Sequence, residues 1–164
     1  MKRLILMRHA KSSWDHPTLR DHERPLNTRG KRDAPKIGQE LEHLGWQPQV
    51  VLSSDSQRTR ETWELLSPKL SISPLVSFLP SLYHAGLGRI QASIEFVHPQ
   101  TQTIMIIGHN PGWSDAQAWL SGEFIDFKTA STALLSCDKD SWRDAIQTPK
   151  SWKLEHMLHP RDLF

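Results

Sequence analysis

The chain is 164 residues long, carries 20 basic and 18 acidic side chains for a formal net charge of +2, and is 37% hydrophobic. This length and composition predict one domain, residues 1–164, able to bury a hydrophobic core, and they exclude an intrinsically disordered chain. The near-neutral balance argues against a dedicated nucleic-acid binder, the single cysteine (Cys137) excludes an intrachain disulfide, and no apolar run approaches the roughly 18–20 residues that span a bilayer.

In chain order, residues 4–7 form a short apolar run bounded by charges, the pattern of a buried central strand. The run is too short for a signal peptide, and with the lone cysteine it sets the cytoplasm as the expected location. Ala34, Ile37, Leu41 and Leu44 recur at helical steps and Gly45 supplies a stop. Because proline breaks helix interiors, Pro35 places the expected helix start near Asp33 as N-cap, with the proline in the first turn. Residues 50–53 predict a second buried strand and residues 56–66 a helix. Residues 75–79 predict a strand that its flanking prolines put at a sheet edge. A helix is expected over 87–97, the strongest apolar strand over 103–107, and a helix over 113–120 after the Pro111-Gly112 turn. Residues 132–137 and 152–157 read as two strands around a polar connection, 138–151. Alternating strands and helices imply a three-layer α/β/α sandwich with a mostly parallel central sheet.

In an open parallel sheet, functional groups gather just beyond the carboxyl ends of the strands. Arg8 and His9 follow the first apolar run, Ser53, Ser54 and then Arg58 follow the second, and Gly108-His109-Asn110 follow the third strong one. Two arginines brought to one point need an anion between them, and guanidinium groups match phosphate oxygens bidentately while staying charged. A histidine in that positive field is expected to be neutral, with a free ring nitrogen to attack phosphorus. His109 can donate to the phosphoryl oxygens as charge develops. Either histidine taken singly is more often a polar end cap than a catalyst, so the convergence carries the reading. The remaining seven of the nine histidines have no metal-ligand spacing, and neither a metal nor another cofactor is expected.

Arg8-His9-Ala10, followed by Lys11-Ser12, resembles the histidine phosphatase superfamily with its phosphoglycerate-mutase-like fold, and within it the short bacterial phosphohistidine phosphatase branch, SixA. The resemblance continues through Arg24-Pro25-Leu26-Asn27, Arg29-Gly30 and Asp33-Ala34-Pro35. It then runs through Ser53-Ser54 with Arg58 and Thr62, and through Gly108-His109-Asn110-Pro111-Gly112, becoming loose only in the final segment. It implies that His9 is transiently phosphorylated and that Arg8, Arg58 and His109 grip the phosphoryl group. Arg24 is implied as an auxiliary contact on the rim, with Ser12 or Ser13 adding donors. Trp14 is either a substrate-facing lid or buried packing, and Thr62 and Ser53 are more naturally backbone supports.

Larger members of that superfamily carry an acidic residue that protonates an alkoxide leaving group. No Asp or Glu lies within residues 81–85, where one is expected, and Glu61 should project along its helix. His84 is a weak substitute, more readily a surface-loop histidine. A missing acid favours phosphohistidine, because its P–N bond releases a much less basic leaving group. The leading expectation is therefore a monomeric phosphohistidine phosphatase acting on a phosphorylated protein such as a histidine phosphotransfer domain. The alternative is a phosphomonoesterase for a small phosphorylated molecule; a mutase or a non-catalytic phosphoprotein-binding module is less favoured. Neither nucleic acid nor a membrane is an expected partner.

Overall fold

The apolar runs become neighbouring strands of one six-stranded sheet in the computed structural model, which describes residues 1–163. Strands β1 (Lys2–Arg8), β2 (Val50–Ser54), β3 (Leu75–Leu79), β4 (Thr103–Gly108), β5 (Thr132–Cys137) and β6 (Lys153–Leu158) lie in the order β3-β2-β4-β1-β5-β6. The β1–β4, β2–β4 and β2–β3 pairs are parallel, and β5 and β6 extend the sheet antiparallel. Every residue of β4 is buried, as a continuous apolar run covered on both faces should be. The proline-flanked β3 is at the edge, as its sequence predicts.

Successive side chains of a strand face opposite sides of the sheet. Leu4, Leu6, Ile104 and Ile106 pack with Ile90 of α3 (Leu87–Ile94), Trp113 and Leu120 of α4 (Gly112–Ser121), and Ile146 of α5 (Trp142–Gln147). On the other face, Ile5, Met7, Met105 and Ile107 pack with Ala34, Ile37 and Leu41 of α1 (Thr28–His43) and Leu66 of α2 (Gln57–Leu66). Each such aliphatic side chain contributes about 2 kcal/mol on full burial. The result is the α/β/α sandwich expected from the sequence.

Three local expectations fail. Helix α1 begins at Thr28, capped by the Asn27 side chain, which accepts from the Gly30 amide at 2.9 Å; Asp33 is not its cap, and Pro35 sits inside the helix. Proline there removes one intrahelical hydrogen bond and crowds the preceding turn. Complete burial of Ala34, Ile37 and Leu41 around it overrides that local cost. The polar connection 138–151 hides α5, whose N-cap Ser141 accepts from the Asp144 amide and whose Trp142, Ala145 and Ile146 are buried. Helix α3 also ends earlier than its periodicity suggests, at Ile94.

Candidate active site

Parallel pairing of β1 with β4 sets Arg8 opposite Gly108, so the residues that follow, His9 and His109, emerge side by side. The His9 amide donates to Gly108 O at 3.0 Å, and the two imidazole centroids lie 5.3 Å apart. Gly108 is required by close approach: a Cβ there would come within 2.2 Å of the Trp113 ring. From β2, Ser54 reaches the His109 ring, and in the first turn of α2 stands Arg58. Thr62, one turn further, accepts from the Ala10 amide at 3.0 Å and donates to Arg58 O at 2.7 Å, tying the His9 loop to α2. Ser53 bonds only the neighbouring backbone.

His9 is buried, at 7% exposure. Its Nδ1 lies 2.7 Å from Ala10 O, and a carbonyl can only accept, so Nδ1 carries the proton and Nε2 the free lone pair. Burial, above all, lowers the His9 pKa from its ordinary 6.5 to about 3; the hydrogen bond to Ala10 opposes this, and the fields of Arg58, Arg8 and Arg24 add to it. The positive field invoked from the sequence is thus the lesser cause of neutrality. Burial likewise leads the lowering of His109 to about 2, with His9 and Arg58 adding to it. The His109 Nδ1 lies 3.4 Å from Arg58 Nη2, and since a guanidinium only donates, Nδ1 accepts there while Nε2–H donates to Ser54 Oγ at 2.9 Å. Arg8 donates through Nη1 to Phe127 O at 2.9 Å, and its buried Nε has no hydrogen-bond partner among the described residues.

Arg24 is fixed by donation to Ser12 Oγ at 2.6 Å and Ser13 O at 3.0 Å, with the exposed Trp14 ring stacked 3.3 Å from its Cζ. Trp14 is 73% exposed and is not buried packing. His9, Arg8, Arg58, His109, Arg24 and Ser12 all line one cavity of about 270 Å³. Ser13 does not; its hydroxyl accepts from the Asp15 amide, and its contribution is the backbone carbonyl held by Arg24. A larger cavity of about 750 Å³ lies beside β3 and α3, but apolar residues such as Leu75, Leu79 and Phe96 dominate it and Arg89 is its only arginine.

A carboxylate missed by sequence reasoning also lines the site. Asp21, in the short turn Asp21–Glu23, meets Arg24 Nη1 at 2.9 Å, Arg58 Nη2 at 3.0 Å and His84 Nε2 at 3.1 Å, and accepts from the Tyr83 hydroxyl. The available signal was its place three residues before Arg24. Partial burial alone would raise this carboxyl, but hydrogen bonds from Tyr83, Arg24 and Arg58 outweigh it and hold it well below the usual carboxylate range. It is therefore ionised at neutral pH. Glu61 accepts from the Leu26 amide at 3.2 Å and is not part of the cavity wall. His84 lines the mouth of the cavity, its ring 5.0 Å from that of His109, with left-handed backbone at φ 53. Among the described residues no group of three or more His, Cys, Asp or Glu is placed to hold a metal ion, and no helix is long and apolar enough to cross a membrane.

An unprotonated imidazole nitrogen among three guanidinium groups can accept a phosphoryl group and hold its charge. Comparison with known proteins agrees with that chemistry. The model of the histidine phosphatase superfamily (branch 1) matches residues 4–109. An uncharacterised chloroplastic protein of Arabidopsis thaliana is 42% identical over 97% of this chain and 78% of its own length. Solved structures provisionally named phosphohistidine phosphatase SixA superpose over the same fold. The one from Nakamurella has a TM-score of 0.83 at 29% identity, covering 97% of this chain and 96% of its own. The one from Agrobacterium tumefaciens has a TM-score of 0.82 at 25% identity, covering 97% and 98%. The chain belongs to the histidine phosphatase superfamily, in its phosphoglycerate-mutase-like α/β/α fold.

Proposed function

We propose that this protein is a metal-independent phosphohistidine phosphatase that takes a phosphoryl group onto His9 and passes it to water. The observation that carries the reading is the His9 tautomer: Nδ1–H is committed to Ala10 O, leaving the Nε2 lone pair beside Arg8, Arg58 and Arg24. Family membership supports a phosphatase, and the names of the SixA neighbours support phosphohistidine as the substrate.

In this reading His9 Nε2 attacks phosphorus as the P–N bond to the substrate breaks, and the departing imidazole, already protonated on its other nitrogen, leaves neutral. Arg8 and Arg58 hold the transferring oxygens, with Arg24 on the rim beside Ser12. A phosphoryl dianion between the arginines reverses the field at His109 and favours a proton on its Nδ1, which then donates to a phosphoryl oxygen while Ser54 keeps Nε2–H. Water next attacks the phosphohistidine, His9 leaves as neutral imidazole with its Nδ1 proton, and both water protons depart with the phosphate as dihydrogen phosphate. Asp21 does not act as the acid that an alkoxide would need, because its own contacts keep it ionised. This replaces the simple absence of a carboxylate as the argument for a P–N substrate.

Every group invoked comes from one chain, so a single domain acting as a monomer suffices. The cavity opens beside exposed Trp14 and suits a histidine projecting from a phosphotransfer domain. The lone buried Cys137 fits a reducing compartment, and we place the protein in the cytoplasm; its plant relative is chloroplastic. Rapid-quench reaction with a radiolabelled phosphohistidine protein should give an acid-labile label on His9, absent in His9→Ala. Turnover should exceed that of alkyl phosphates by about 100-fold, the minimum scale of a general acid's contribution. Faster hydrolysis of alkyl phosphates would replace this reading with a small-molecule phosphomonoesterase. Tight phosphate binding with no label would make the protein a binding module.

A further inference from the structure

A second cavity, of about 300 Å³, shares its wall with the first. Arg8, Lys11 and Thr129 line both. Arg29, Lys128, His159 and Arg161 also line it, so four separate chain segments bring five permanent cations to one concavity that no carboxylate lines. The nearest acids lie outside its wall: Asp33 is 3.5 Å from Arg29, Asp126 is 3.3 Å from Lys128, and Asp162 is 3.9 Å from Arg161. Those pairs are loose, and the three cationic side chains keep 56–74% of their surface in solvent. Such pairs contribute little and leave their charges available to another anion.

The segment carrying Lys128 and Thr129 is locked to the nucleophile. The Ala130 amide donates to His9 O at 2.9 Å, the Ser131 amide to Lys128 O at 3.0 Å, and the Lys128 amide to Ser131 Oγ at 2.9 Å. Ala130 is held at φ 63, a left-handed conformation that is costly for a residue with a Cβ. His159 Nδ1 meets the same Ser131 hydroxyl at 2.7 Å, which joins the end of β6 to the turn. The cationic wall is thereby fixed relative to His9.

We propose that this second cavity is a substrate subsite for an additional oxyanion, a phosphate or a carboxylate carried on the same molecule as the phosphoryl group that His9 removes. The assignment rests on the phosphatase reading above and adds to it a preference for doubly anionic substrates. The carrier is either a bisphosphorylated small molecule or an acidic side chain flanking a phosphohistidine; the cavity recognises the oxyanion common to both.

The test compares the full-length protein with the double variant Lys128→Ala/Arg161→Ala, whose altered side chains are exposed and do not line the His9 cavity. Two substrate pairs are used: 1,3-propanediol bisphosphate against its monophosphate, and a phosphohistidine peptide with or without flanking glutamates. In at least one pair the doubly anionic member should show kcat/KM about tenfold or more above its partner, and the double variant should erase that preference while leaving the singly anionic member unchanged. The pair that responds identifies the carrier. A preference that survives in the variant, or none in either pair, overturns the subsite. Calorimetric binding of propane-1,3-bisphosphonate against propylphosphonate separates this outcome from failure of the phosphatase reading. No turnover of anything, with a bisphosphonate preference that the variant loses, rejects the phosphatase and keeps the subsite; turnover without any preference does the reverse.

Discussion

Two histidines held neutral inside a folded protein make its stability depend on pH in a defined window. In the unfolded chain each titrates near 6.5, whereas folding lowers His9 to about 3 and His109 to about 2. For His9 the shift corresponds to about 5 kcal/mol against the charged form. Between the two pKa values the unfolded state binds the proton and the native state does not, so stability is full above pH 6.5 and falls as the solution is acidified. Going from pH 7.5 to 5, each histidine costs about 2 kcal/mol and the pair about 4 kcal/mol, a large part of a typical domain's stability. Asp21 does not blur the window: its contribution is lost only below the unfolded carboxylate pKa near 4. The assay is urea unfolding across pH 5 to 7.5, for the wild type and for His9→Asn, which keeps a polar side chain but cannot titrate. The wild type should approach an uptake of two protons on unfolding near pH 5, and His9→Asn should remove one. Equal slopes in the two proteins, or an NMR titration of His9 near 6.5, would refute the assignment of a buried, neutral nucleophile.

Three further outcomes follow from the same geometry. Arg58→Lys keeps the charge but loses the fork that reaches both Asp21 and the His109 ring; kcat/KM should fall by about 10²–10³, and a change under threefold in steady-state assays would remove Arg58 from the phosphoryl clamp. His84→Ala should change kcat/KM by no more than about threefold on alkyl phosphates and phosphohistidine alike, because the site supplies no acid; a loss of about 100-fold confined to alkyl phosphates would make His84 that acid and remove the leaving-group argument. Gly108→Ala drives a methyl group into the Trp113 ring and should cost about 2–3 kcal/mol in denaturant melts. An unchanged midpoint there would mean that α4 can move away from β4 freely.

The proposed acid-base logic changed most between sequence and structure. Residues 81–85 carry no carboxylate, and on the sequence alone the site lacks a dedicated acid. Asp21 arrives instead from a turn some sixty residues earlier, because Arg24 and Arg58 both need a counter-charge and the turn at Asp21–Glu23 is short enough to present one. Its hydrogen bonds with Tyr83, Arg24 and Arg58 hold it ionised, so the proposed preference for a P–N substrate rests on the charge of this carboxylate and not on its absence.

By itself the sequence determined the sheet and the convergence of Arg8, His9, Arg58 and His109. Uninterrupted apolar runs can be satisfied only as strands covered on both faces, and parallel strands carry whatever follows them to one rim. The helix boundaries around Pro35 and the existence of α5 were decided by tertiary burial, which overrides local propensity when a face of Ala34, Ile37 and Leu41, or of Trp142, Ala145 and Ile146, has a core to enter. The tautomers of both histidines, the charge of Asp21 and the five-cation cavity that includes Arg8 were likewise decided in three dimensions. Hydrogen-bond direction and desolvation depend on which atoms from distant segments meet, and no spacing along the chain encodes that meeting.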